Sequence, residues 1–124
     1  MQVKNSFAVI AGGAVGASLR GVIGTVLNGS PIATFIVNIV GSILLGFFYQ
    51  FVRSSPHLSD SVKKFIATGL LGSFTTFSTY SLDLFVYIRE GHFWGLALYG
   101  GGSILAGILS VIIGVSLAEK VGRD

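Results

Sequence analysis

Four stretches of the chain contain no Asp, Glu, Lys or Arg: residues 5–19, 21–52, 65–82 and 93–118. A helix needs about 20 apolar residues to cross the roughly 30 Å hydrocarbon layer of a bilayer. These runs therefore predict four spans, at about 5–27, 32–53, 62–89 and 93–118. The breaks between them are polar and short. Asn28-Gly29-Ser30-Pro31 is a strong turn signal. Ser54-Ser55-Pro56-His57-Leu58-Ser59-Asp60 holds the only other proline, and Arg89-Glu90-Gly91-His92 makes the third connection. Short connections set neighbouring helices antiparallel. With no room left for a soluble domain, residues 1–124 are expected to form a single four-helix transmembrane domain.

Composition removes the alternatives. Of 124 residues, 52% are hydrophobic and only 10% are charged, against roughly 25% charged in soluble domains. So short a chain cannot hide that apolar surface from water, and disorder requires the opposite balance. The mean hydropathy of +0.81 agrees. There is no cysteine, so disulfides, thiolate chemistry and Cys-based metal sites are excluded. His57 and His92 are too few for a His-only metal site. The net charge of +3 is spread over ends and loops, which argues against nucleic acid as a partner. Apolar content continues through the chain, so the N-terminus does not read as a cleavable signal peptide. With four spans both termini share one side, with Lys4, Arg53, Lys63, Lys64, Lys120 and Arg123. The other side has Arg20 and Arg89, and this 6-to-2 bias favours termini in the cytoplasm.

Several polar residues fall inside the spans. Arg20 either snorkels from the end of the first helix or acts as a vestibule charge or helix-end tie. Asn38 must bond across helices or face water, as an interhelical tie or a pore-lining donor; Thr34 lies four residues earlier on the same face. Small residues at Gly12/Gly16, Gly13/Ala17, Gly102/Ala106, Ser103/Gly107 and Ser110/Gly114 suit close helix packing. The segment Gly69 to Ser81 carries seven hydroxyls in its last nine residues, with two glycines and three threonines, a poor centre for a helix. It predicts a discontinuous third helix, since non-helical backbone at that depth is tolerated only inside protein or beside a wet cavity. Such breaks favour ions: carbonyls ending one half suit a cation, and N–H groups opening the next suit an anion. The alternative is a continuous helix with hydroxyls bonded to their own backbone. Phe77 and Tyr80 share a face if the second half is helical, and either pack in the core or line an anion path with electropositive ring edges. Tyr99 and Ser103 extend the polar track on the fourth helix. Asp83 and Glu90 read as mouth or loop residues. So small a bundle cannot enclose a pore and still shield it from lipid, which implies an oligomer, most economically a dimer.

Three blocks in order, Gly12-Gly13-Ala14-Val15-Gly16-Ala17-Ser18-Leu19-Arg20, Thr34-Phe35-Ile36-Val37-Asn38-Ile39-Val40-Gly41 and Gly69 to Ser81, resemble the CrcB/Fluc fluoride channels. The resemblance covers essentially the whole chain. It implies an all-α membrane protein that assembles as an antiparallel, dual-topology homodimer with two fluoride pores. It also implies a structural, untransported Na⁺ at the dimer centre, held by the backbone carbonyls of Gly72 and Thr75 from both subunits. Its pore residues fall on Asn38, Phe77 and Tyr80, with Thr34, Tyr99, Ser103 and Thr79 continuing the track and Arg20 in the vestibule. Tyr80 stands where the family usually has Phe, and Ser73 where a second Gly is common.

The expected function is passive fluoride export across the inner membrane of a prokaryote, with fluoride, a second copy of the chain and lipid as partners. A small multidrug exporter would need a carboxylate within the membrane, yet the first acidic residue is Asp60. A non-conducting assembly subunit would not need Asn38 or the hydroxyl-rich segment. No nucleophile–base or metal constellation suggests an enzyme.

Overall fold

The computed structural model describes residues 2–54 and 57–123, leaving aside the side chains of Gln2, Ser78 and Arg123. Ser55 and Pro56 of the predicted second connection lie outside the described residues. Every regular element among the described residues is a helix. Helix α1 spans Gln2–Val26 and α2 spans Pro31–Arg53. Helix α3, Asp60–Lys63, runs directly into a π-helix, Lys64–Leu71, and then into the single turn α4, Gly72–Phe74. Helix α5 spans Ser78–Arg89 and α6 spans Phe93–Arg123. Among the described residues, three helices are long and apolar enough to cross a membrane: Val3–Val26, Pro31–Arg53 and Phe93–Gly122. The third predicted span is divided among α3, the π-helix, α4 and α5. At 31 residues, α6 is about 46 Å long and runs five residues beyond its expected end at 118.

The helix ends follow from local chemistry. Beyond α1, Asn28 and Gly29 both adopt positive φ, 59° and 65°, a region these two residue types tolerate. The Gly29 N–H reaches back to the Gly24 carbonyl at 2.7 Å, and the Asn28 N–H to Thr25 at 3.2 Å. Those bonds satisfy carbonyls that the helix end would otherwise strand. Pro31 then opens α2 at a position where its missing N–H costs nothing. Ser59 caps α3 by accepting the Val62 N–H, and His92 Nδ1 caps α6 by accepting the Gly95 N–H at 2.9 Å.

Two parallel pairs build the bundle. Helix α1 lies along the α3–π–α4 rod: Gly12 abuts Phe65 and Leu70, and Gly16 abuts the Leu70 carbonyl and Phe74. A π-wound turn is wider than an α-turn, and the bare backbone of α1 makes room for it. Helix α2 lies along α6, with Gly46 against Val111 and Gly114 against Ile43 and Phe47. Small-residue spacings thus divide in two: Gly12/Gly16 and Gly114 are at contacts, whereas a Cβ on Gly102 or Gly107 would meet nothing within 4 Å. Ala33, Val37, Leu71, Phe74 and Tyr80 are buried, while Ile10 and Leu105 are 65% and 66% exposed. So much bare apolar surface suits a lipid environment.

Two polar ties add to the packing. Asn5, buried at the start of α1, donates from Nδ2 to Asp60 Oδ2 at 2.8 Å and accepts the Ser61 hydroxyl at 2.8 Å. Arg20 donates from Nε to the Ser73 carbonyl at 3.0 Å. This is a helix-end tie, with a cation at the carbonyl end of a helical run, where the dipole favours it.

Candidate functional site

The hydroxyl-rich segment comes together where α4 stops. Thr75 is extended, with φ −79° and ψ 156°, and residues 75–77 lie between α4 and α5. Asn38, about a third of the way along α2, grips the peptide group of Thr76 from both sides. Its Oδ1 accepts the Thr76 N–H at 2.8 Å and its Nδ2 donates to the Thr76 carbonyl at 3.1 Å. In a continuing helix the Thr76 N–H would serve the Gly72 carbonyl, four residues back. The Thr79 N–H would likewise serve Thr75, but it goes instead to Thr76 Oγ1 at 3.3 Å. The carbonyls of Gly72 and Thr75 are thereby stripped of the helical donors they would otherwise have. Neighbouring groups are engaged: Leu71 accepts both the N–H and the hydroxyl of Thr75, each at 3.1 Å, and Ser73 accepts Arg20.

Two cavities flank this junction. The larger, an open groove of about 430 Å³, is bordered by Asn38, Phe77, Tyr80 and Ser103 together with Ser42 and Thr76. No Lys, Arg, Asp or Glu lines it. The smaller, about 170 Å³, is bordered by Arg20, Thr34, Thr76 and Thr79. Thr76 lines both cavities. The expected track residues therefore divide: Asn38, Phe77, Tyr80 and Ser103 share one cavity, and Thr34 and Thr79 share the other with Arg20. Ser103 Oγ is a buried hydroxyl with no hydrogen-bond partner among the described residues, a state protein interiors usually avoid.

The aromatic residues form a chain. Phe77 lies 5.9 Å from Tyr80, Tyr80 lies 5.4 Å from Tyr99, and Tyr99 lies 5.9 Å from Tyr87, all ring centroid to centroid. Their environments differ sharply. Phe77 is 77% exposed, whereas Tyr80 is 7% exposed. The Tyr80 hydroxyl donates to the Gly100 carbonyl on α6 at 2.6 Å. Its extra oxygen relative to Phe is thus absorbed in an interhelical bond. The Tyr99 hydroxyl donates to Asp83 Oδ2 at 2.9 Å, so Tyr99 meets the mouth carboxylate and borders neither of these two cavities.

Two contributors went unnamed as site residues in the sequence reading. Ser42 stands four residues after Asn38, as Asn38 does after Thr34, so the i, i+4 spacing already marked one polar stripe on α2. Thr76 contributes through its peptide group as well as its side chain, and one hydroxyl among seven gave no sign of that.

The family described as "CrcB-like protein, Camphor Resistance (CrcB)" matches residues 7–115. A protein named fluoride-specific ion channel FluC from Chlorobium phaeobacteroides is 40% identical over 113 residues, covering 88% of each chain. Proteins of the same name are 38% identical in Hyphomonas neptunium, over 94% of this chain and 98% of the relative, and 35% identical in Aquifex aeolicus, over 93% and 97%. Taken with the long apolar helices, these similarities make the chain a multi-pass membrane protein of a prokaryote.

Proposed function

Since the chain belongs to the CrcB family, we propose that it is a channel, not an enzyme, through which fluoride leaves the cytoplasm passively across the inner membrane. The observation that carries this reading is the Asn38-clamped junction, open to a groove whose polar groups are neutral. Fluoride is small and strongly hydrated, so a path must offer donors in place of water. Asn38 keeps a second Nδ2 proton beyond the one given to Thr76, and Ser103 holds an unspent hydroxyl. The exposed edge of Phe77 adds partial positive charge. Weak, repeated contacts of this kind let an ion enter and leave, whereas a full charge would hold it. Thr76 links this groove to the smaller cavity, where Arg20 brings the positive potential that attracts anions.

The groove lies open on one face of the single chain, which supports completion by a second copy, in an antiparallel, dual-topology homodimer with two pores. The discontinuity of the third span supports a structural Na⁺ at the dimer centre. The carbonyls of Gly72 and Thr75, deprived of helical donors, fit a hard cation that takes oxygen ligands. In such a dimer the ion would neutralise the carbonyl ends of two facing helical runs.

The test is electrode-detected fluoride efflux from liposomes holding the purified chain, beside chloride. Fluoride should leave rapidly and chloride should stay. Phe77→Ile should lower fluoride efflux at least about ten-fold, yet leave the fold of the individual chain intact, because within that chain the ring is 77% exposed. Replacing Na⁺ with N-methylglucamine should lower the thermal midpoint of the dimer. Lys120→Cys should label from both sides of the membrane; labelling from one side alone would remove the antiparallel arrangement. No fluoride efflux from a folded dimer would leave the non-conducting assembly subunit as the reading.

A further inference from the structure

Most cations of the chain are gathered at one end of the bundle. Because α1 runs parallel to α3 and α2 to α6, Lys4, Arg53, Lys63, Lys64 and Lys120 come to the same rim, with only Asp60 and Glu119 as described carboxylates. The Asn5 bonds to Asp60 and Ser61 fix Lys4 beside the start of α3. At the far end, Arg20 and Arg89 are matched in number by Asp83 and Glu90. Among the described residues none of the five rim cations forms an ion pair, and Asp60 is engaged by Asn5. Arg53 only overlies the ring of Tyr49, 5.9 Å from its centroid.

We propose that this rim binds the headgroups of anionic phospholipids. Adjacent like charges such as Lys63 and Lys64 repel each other, and among the described residues neither forms an ion pair; the surrounding leaflet offers the missing counter-charge. Both lysines are half-buried, which holds their stems along the apolar bundle and presents their ammonium groups at headgroup level. Tyr49, 59% exposed near the end of α2, is an interfacial aromatic of the type that marks this depth. Each Lys or Arg near an anionic surface contributes about 1 kcal/mol, which is about five-fold in lipid affinity per charge. This inference needs no fluoride and stands apart from the channel reading.

The test is native mass spectrometry of the full chain released from bilayers of equal phosphatidylglycerol and phosphatidylcholine. Phosphatidylglycerol should be retained at least about ten-fold over phosphatidylcholine, and retention should fall when the bilayers are equilibrated in high salt. The combined Lys4→Gln, Lys63→Gln and Lys64→Gln variant should lose roughly 100-fold in retention, and Arg89→Gln should lose none. Equal retention of the two lipids by the unaltered chain would overturn the proposal, as would an Arg89→Gln loss matching that of the triple variant. Should the triple variant not fold, the lipid ratio and salt dependence of the unaltered chain decide alone.

Discussion

Asn38→Asp is expected to cut fluoride efflux by at least about 100-fold while leaving a folded protein. The carboxylate keeps the acceptor that takes the Thr76 N–H at 2.8 Å. It loses the donor that faces the Thr76 carbonyl at 3.1 Å, and two oxygens then oppose each other there. It also loses the second amide proton, and it places a negative charge at the border of the groove. At an effective dielectric of about 20, two like charges about 4 Å apart repel by about 4 kcal/mol, roughly 1000-fold in the population of an anion at that point. Asn38→Ala separates two roles of the side chain. It adds no charge but leaves both the N–H and the carbonyl of Thr76 unpaired, at about 1–3 kcal/mol each where water cannot replace the bond. The Ala variant should therefore lose thermal stability as well as flux. Efflux by electrode and thermal unfolding by circular dichroism read the two effects independently. Unaltered efflux through folded Asn38→Asp would remove Asn38 from the ion path.

Gly114→Val is expected to abolish the folded bundle. A Cβ at this position would overlap the Ile43 carbonyl and stand 2.7 Å from the Phe47 backbone nitrogen. These are backbone atoms of a facing helix, and no rotamer change relieves the clash. Helices α2 and α6 would have to separate along their whole contact, and lipid offers no hydrophobic penalty to hold them together. Size-exclusion chromatography in detergent should show aggregate or no protein. Gly102→Ala provides the contrast, because nothing lies within 4 Å of its Cβ; it should express normally and gain up to about 1 kcal/mol of helix propensity. If both variants behaved alike, the close approach at Gly114 would not be what holds α2 to α6.

Sequence alone could not distinguish those two glycines, since both sit at small-residue spacings on the same helix. What it did carry was the solvent. Charge-free runs mark the long helices because a bilayer excludes charge whatever the details of packing. Turn chemistry was legible for the same kind of reason: Asn28, Gly29 and Pro31 act on their own backbone. The π-winding of Lys64–Leu71 was not legible, because it depends on the bare backbone that α1 sets beside it. Within the site, Asn38, Phe77, Tyr80 and Ser103 could be named from residue type and spacing, and one groove joins them. Which cavity Thr34 and Thr79 would border, and that the Tyr99 hydroxyl would be taken by Asp83, depended on how α2, α5 and α6 are set against one another.

The pairing of α1 with the α3–π–α4 rod and of α2 with α6 has a consequence for biosynthesis. Helices α1 and α2 touch each other little: α1 packs chiefly on the third span and α2 on α6. As the chain is synthesised, α1 and α2 enter the bilayer with their glycine faces bare. The first pair can close only after residue 74 has emerged and the second only after residue 114, about 2–8 s later at 5–20 residues per second. Until then the half-made protein offers membrane quality control two open grooves, and a message cut short before Gly114 would deliver a α2 helix with no partner to meet.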